Sequence, residues 1–322
     1  MIMTAEATAP DSSPAPGTVE PVVVRLSDGT QQDVSRLSAQ QLIELQWQEE
    51  RRFAQQILAA AKCSAQRAEV TGQGYDTITT LLRLQDQHSD QFAMGHSPRY
   101  ERLVLKLLAD RRGHGVANPM LFEIGFGSGL LLKRIQDQGY SVGGLEVSQG
   151  MHDLARRRLG GQAQLHLGDL RSLGKGTRGK FHVAFWNDVF EHIAPDEILD
   201  YLRIIHELLA PGGVLVTVTP NWHVRPSDIT STFLRPRTEA VGFHLKEYTL
   251  REVTSLLRQA GFKRVVTPLL VTRPEMIFCG SGLAGSKRLL EPCLEWLPFR
   301  LTRLLCTGLG LNCTVAEKGN AE

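Results

Sequence analysis

Cysteine is scarce in this chain, and its five cysteines, Cys63, Cys279, Cys293, Cys306 and Cys313, never fall in a CxxC pair. Scattered single thiols exclude the common structural zinc patterns and give no disulfide framework, which fits a reducing compartment. Long apolar runs are missing too, so no segment reads as a membrane span. The opening stretch MIMTAEATAPDSSPAPG has neither the basic start nor the apolar centre of a secretory leader, and the expected location is the cytoplasm. Charge of one sign is also lacking: 36 basic residues stand against 34 acidic ones, a formal +2. No Lys/Arg cluster marks a nucleic-acid groove, so no nucleic-acid partner is expected.

What is present is enough chain for one large α/β core with additions. Residues 1–20 are rich in Pro, Ala, Ser and Thr and too poor in large apolar groups to offset the entropy of ordering, so a disordered tail is expected there. Residues 21–115 read as a helical region. Ser38 and Gln41 are spaced as a capping box before Leu42, Leu45, Phe53 and Leu58, a further helix follows Tyr75, and Ser97-Pro98 reads as a cap and first helical position. From 116 to the end, short apolar strands alternate with longer helical patterns, the signature of a parallel sheet with crossover helices. The strands are expected at 120–124, 141–146, 163–167, 181–186, 213–219, 262–270 and 311–317. Pro195 and Asp196 are expected to open a helix that Pro211-Gly212-Gly213 stops, and Thr249 and Glu252 form another capping box.

The first chemical signal is LFEIGFGSG, residues 121–129. Glu123 ends a strand, and Gly125, Gly127 and Gly129 let the backbone turn sharply and come close to a ligand. A tight strand-to-helix turn with no ligand gives the same triplet. A dinucleotide loop is a second alternative, but the GxGxG spacing lacks the last glycine of GxGxxG, and Glu123 would repel a pyrophosphate. Glu146 ends the second strand, placed to accept both hydroxyls of a ribose, and Asp169 follows the third, where a carboxylate can accept from an adenine amine while Leu170 packs on the ring. Together these acids describe a pocket for an amine, a ribose and an adenine with no phosphate subsite.

With these motifs in view, the chain resembles the class I S-adenosylmethionine-dependent methyltransferases, especially the small-molecule group that includes the ubiquinone and menaquinone methyltransferases. The resemblance covers roughly 97–270 and rests on EIGFGSG (123–129), LEVS (145–148), GDL (168–170), WNDVFEHI (186–193), LAPGG (209–213), TPN (219–221) and HLKEYT (244–249). It implies an α/β, Rossmann-like sheet of seven strands with the last antiparallel, preceded by N-terminal helices; beside what the resemblance implies, a cap is expected over 222–245 and a helical insertion over 271–310. It also implies S-adenosyl-L-methionine as donor, held by Glu123, Gly125, Glu146, Asp169 and the Asn187 region. Phe126, Gly127, Gly129, Val147, Leu170 and Val189 are expected to complete that pocket, with His96, Arg99 and Tyr100 within reach of the donor carboxylate. Two departures are His182, where such families often carry an acid, and the length of chain between the final two strands.

A sulfonium methyl is already activated, so transfer needs mainly alignment in a dry site, and no metal is expected. A hydroxyl acceptor needs a base, for which His192 and His244 are the candidates; Glu191 is a base or a local ion-pair partner, and Tyr248 is placed to orient the acceptor. Trp186 reads as wall or core. Asn187-Asp188-Val189-Phe190 departs from the Asn-Pro-Pro-aromatic pattern of enzymes that methylate base amines in nucleic acids. The acceptor is therefore expected to be a small organic molecule, with a lipophilic one among the alternatives, methylated on oxygen ahead of carbon or nitrogen. Leu290, Leu294, Leu297, Leu301 and Leu304 in the stretch 283–309 recur at helical spacing; packing on the protein's own domain is the expectation and membrane contact the alternative. The competing functions are a non-catalytic donor-binding protein of the same fold and an NAD-dependent dehydrogenase.

Overall fold

A computed structural model describes residues 20–86, 97–270 and 277–320, so the expected tail and His96 lie outside the described residues. The chain enters through a hairpin, β1 (Val23–Arg25) and β2 (Gln31–Asp33), followed by α1 (Ala39–Ala59), α2 (Ala65–Gln85) and α3 (Pro98–Gly113). Then come β3 (Met120–Ile124), α4 (Leu130–Asp137), β4 (Ser141–Glu146), α5 (Gln149–Leu159), β5 (Gln164–Leu167), β6 (Phe181–Asn187), α6 (Ile198–Leu208) and β7 (Leu209–Val218). The chain closes with α7 (Thr230–Phe233), α8 (Leu250–Gln259), β8 (Arg264–Leu270), β9 (Ile277–Gly280), α9 (Ser281–Leu290), α10 (Phe299–Gly308) and β10 (Cys313–Glu317).

The sheet order is β5-β4-β3-β6-β7-β10-β8-β9. The strands β5, β4, β3, β6 and β7 run parallel, and β10 inserts antiparallel between β7 and β8. The expected seven strands with an antiparallel last one are all there, and β9 adds an eighth at the edge beside β8. Alternate residues feed two cores: Phe122, Ala184 and Leu215 pack under α6 and α8, while Leu121, Val183 and Val216 pack under α3, α4 and α5. Both faces being covered explains why these strands are apolar throughout. A third core joins the hairpin, α1 and α2 (Val24, Val34, Phe53, Ile57, Ile78, Leu81) to Phe243 from the segment after β7. No helix among the described residues is long and apolar enough to cross a membrane.

Local expectations hold at Ser38/Gln41 and Thr249/Glu252, both complete capping boxes. Others need correction. The region 21–115 contains the β1–β2 hairpin besides its helices. Ser97 precedes Pro98 but its side chain makes no cap bond. The helix expected from Pro195 begins at Ile198, with Glu197 at its N-cap making no side-chain cap bond; its carboxylate meets Arg171 and Arg67 at 2.8 and 3.3 Å. Pro211-Gly212-Gly213 follows the end of α6 at Leu208 as expected, but it also lies within β7 and bulges it: β6 advances from Phe181 to Val183 while β7 advances from Leu209 to Val214. The leucine stripe of 283–309 is also mostly unpacked. Leu294 is buried, but Leu290, Leu301 and Leu304 are exposed and Trp296 stands 90% exposed. The chain changes direction at Pro292 and Pro298, splitting the stripe between α9, a 3-10 turn and α10, so no single face presents it to the core.

Candidate active site

The C-terminal ends of β3, β4, β5 and β6 open onto a cavity of about 520 Å3, roofed by α2 and the 222–245 segment. The loop after β3 shapes it. Gly125, Gly127 and Gly129 all adopt left-handed φ (69°, 52° and 71°), yet each for a different reason. A Cβ on Gly125 would lie 2.6 Å from the Val189 methyl, whereas one on Gly127 would meet nothing within 4 Å. Gly129 does not line the cavity; its missing Cβ lets α4 sit against Ala155 of α5, at 2.8 Å. Phe126 likewise turns its ring into the core beside His152, leaving it only the edge of a smaller recess.

That recess, about 20 Å3, is lined by Glu123, Gly125, Ser128, Asn187, Ser97 and Tyr100. Glu123 is buried and its Oε2 has no hydrogen-bond partner among the described residues. Burial, reinforced by the nearby Glu146 charge, holds its carboxyl well above the usual carboxylate range. A buried acid with a bare oxygen is costly unless a cation or donor comes to it. Glu146 is better served: Oε2 accepts from Gly127 N–H at 2.8 Å, and Oε1 from Val147 and Ser148 N–H at 2.8 and 2.9 Å. Three bonds on two oxygens leave room for one more donor. Asp169 faces the main cavity with Leu170 but is held by Arg171, whose N–H and Nε donate at 2.7 and 2.9 Å. Arg171 and Glu197 continue to Arg67 of α2, so an ion-pair chain fastens the helical cover to the third strand end.

Opposite the strand ends lies a cluster of titratable groups. His192 is half-buried against Tyr75 and Phe243, and its Nδ1 is 2.9 Å from the Phe243 carbonyl. A carbonyl only accepts, so Nδ1 carries the proton and Nε2 the lone pair. Burial and the neighbouring His244 charge push its pKa well below 6.5. His244 packs edge-on at 4.8 Å between ring centres. Burial pulls its pKa down, but the bond from Nδ1 to Glu247 at 2.9 Å, then Glu191, Asp228 and the Glu247 charge, push it up to about 9. Glu191 lies 3.8 Å from His244 Nε2; burial pushes it up to about 8 against the opposing His244 charge. Asp188, its carboxyl raised chiefly by desolvation, takes a left-handed φ of 51° and lines both this cavity and a second one beside it.

A pH prediction follows from His244. Its folded pKa is raised from 6.5, so the stability it contributes is full below about pH 6.5 and is lost as pH rises through about 9. Glu191, also raised, acts in the same direction because its ionisation is disfavoured in the fold. The melting temperature is expected to fall by several degrees across that window, and His244→Gln to flatten the slope, as read by calorimetry at graded pH.

Several expected residues are placed elsewhere. Tyr248 packs edge-on against Phe190 and does not line the main cavity, and Trp186 is core, its Nε1 donating to Thr217 at 2.7 Å. Tyr100 borders the Glu123 recess, while Arg99 donates to the Thr307 carbonyl at 3.3 Å. His182 accepts from Met120 N–H at 3.2 Å, away from the site. Sequence reading missed Glu50, Tyr75, Asp228 and Phe243, which line the same cavity from α1, α2 and the segment after β7. Glu50 accepts from Gln46 and from Phe243 N–H, and burial pushes it up to about 7. Ligand atoms of Glu191, His192 and His244 lie within 4.8 Å of one another, close enough to share an ion.

A methyltransferase domain model matches residues 93–267, more than half of the chain and all of the strand-end acids above. The chain belongs to the methyltransferase domain family. It is a class I enzyme, and S-adenosylmethionine is its methyl donor. The chain is 29% identical over 187 residues to dTDP-3-amino-3,6-dideoxy-alpha-D-glucopyranose N,N-dimethyltransferase of Streptomyces fradiae, covering 58% of this chain and 70% of that one. It is 31% identical over 157 residues to the ubiquinone biosynthesis O-methyltransferase of Ruegeria pomeroyi, covering 45% and 60%. Among solved structures it is similar to an amino pentose methyltransferase of Micromonospora echinaspora at 30% identity, covering 38% and 51%, with a TM-score of 0.32. The chain thus spans between half and seven tenths of these relatives' lengths.

Proposed function

We propose that this methyltransferase methylates a hydroxyl of a small organic acceptor, with His192 as the general base. The observation that carries the reading is the fixed tautomer of His192: its proton is committed to the Phe243 carbonyl, and burial keeps the ring neutral. Nε2 is thereby a basic lone pair at the wall of the main cavity. Glu123 would take the donor's ammonium, Glu146 a ribose hydroxyl on its remaining acceptor site, and Leu170 with Val147 the adenine face. Asp169 would serve the adenine amine while keeping Arg171. Asn187, Gly125, Gly127 and Val189 form the wall between donor and acceptor. The donor supplies an electrophilic methyl; the protein aligns the acceptor oxygen, excludes water and receives the proton.

We read the transfer as metal-independent. His244 is held as a cation chiefly by Glu247 at 2.9 Å, and an imidazolium has no lone pair for a metal. Activity should be unchanged in a chelator, and loss restored by magnesium would overturn this. A second reading, N-methylation, is favoured by two relatives named as dTDP-amino-sugar N,N-dimethyltransferases. Calorimetric titration with S-adenosylmethionine, followed by turnover on a panel of phenols, alcohols and amino sugars, tests both. Turnover of amines alone removes the hydroxyl reading, and donor binding without turnover on any acceptor favours a binding protein.

A further inference from the structure

A second cavity, of about 510 Å3, adjoins the first at Asp188 and Ser227, which line both. Its inner wall is the end of β7 with Thr219 and Asn221; its outer wall is α10, through Phe299, Arg303, Cys306 and Thr307. The two walls differ in charge. Asp188 at the inner end is the one carboxylate among its lining residues, and Arg303 at the outer end has no ion-pair partner among the described residues. Nearby acids do not answer that charge. Glu295 is engaged by Arg225 at 3.1 Å and His223 at 3.0 Å, and Glu291 accepts from Asn221 at 2.7 Å and Leu250 N–H at 2.6 Å. Asn312 adds a buried Oδ1 with no partner among the described residues, its Nδ2 being committed to the Tyr100 hydroxyl at 2.7 Å.

We propose that this cavity holds the far end of the acceptor, and that the acceptor carries an anionic group, a phosphate or a carboxylate, that pairs with Arg303. The proposal rests on the reading that transfer takes place in the adjoining cavity. The charge arrangement orients such a molecule: its hydroxyl or amine end is drawn toward Asp188 and its anion toward Arg303, with Asn312 accepting from a donor between them. Arginine suits the task because its planar fork meets phosphate or carboxylate oxygens in pairs.

The test uses the full chain with S-adenosylhomocysteine present and three probes sharing one ring: phenyl phosphate, benzoate and neutral benzyl alcohol. Calorimetry should show at least one anion binding about tenfold more tightly than the alcohol. Whichever anion prevails separates phosphate from carboxylate recognition. Arg303→Ala should remove that preference and Arg303→Lys restore part of it, both with unchanged S-adenosylhomocysteine affinity. Equal binding of all three probes, no binding of either anion, or an Arg303→Ala protein that keeps the preference would overturn the proposal. Failure of S-adenosylhomocysteine to bind the wild type would instead count against the proposed function.

Discussion

Replacing Glu123 with glutamine should weaken S-adenosylmethionine binding roughly 10- to 100-fold while raising the melting temperature. The affinity loss follows from removing a charged acceptor from the donor's ammonium, an interaction worth about 1.5–3 kcal/mol. The gain in stability follows from the burial of the acid. Glu123 is buried, one oxygen has no partner among the described residues, and its carboxyl is held well above the usual range, chiefly by burial. For an acid whose folded pKa is raised, ionisation is disfavoured in the fold, so stability is lost as pH rises above the unfolded value near 4.5. The neutral amide avoids that loss at pH 7. Calorimetric titration and thermal melts of the same two proteins check both effects. An unchanged donor affinity would remove Glu123 from the site, and a lowered melting temperature with intact binding would make it a structural residue. Opposite signs in the two assays are what a residue retained for ligand binding at the expense of stability produces.

The donor side of this site was legible because its determinants are local. Strand, glycine turn and strand-end acid follow one another within a few residues, and the period of the apolar pattern fixes which end of each strand they occupy. Gly129 shows the limit of that legibility. Its left-handed φ is as real as that of Gly125, but it serves the approach of α4 to Ala155, and nothing in the spacing separates packing from ligand contact. Phe126 was read as lining for the same reason, since adjacency in the loop does not say which way a ring turns.

The acceptor side was less legible because its walls come from distant parts of the chain. Glu50 meets Phe243, 193 residues away, and neither belongs to a recognisable motif. The β1–β2 hairpin escaped notice because its strands are three residues long and β2 reads Gln31-Gln32-Asp33, with no apolar alternation. The 283–309 stripe was expected to pack on its own domain, but Pro292 and Pro298 divide it into short pieces and Leu290, Leu301 and Leu304 stay exposed. What the sequence could not show in these places was which side chains tertiary packing brings together.

His192→Asn should lower kcat about 100- to 10,000-fold on a hydroxyl acceptor and leave the dissociation constant of S-adenosylmethionine unchanged, since loss of a positioned base costs that much. Asparagine keeps an N–H able to donate to the Phe243 carbonyl but supplies no basic lone pair, so cavity shape and base are separated in one substitution. The pH profile adds an independent check. His192 is held neutral well below pH 6.5, chiefly by burial, so the acid limb of wild-type kcat/KM should fall below that value. An acid limb near 8 would point instead to Glu191, whose ionisation burial delays to about that pH. Those two limbs differ by more than the error of a rate profile. A less than tenfold loss in His192→Asn together with a limb near 8 would therefore transfer the base to Glu191. In that case His244, 3.8 Å away, would become the cation that stabilises the ionised carboxylate, and His244→Gln should shift the limb further upward. With His192 as base the same substitution removes a neighbouring positive charge, and the acid limb should move up only toward the ordinary histidine range.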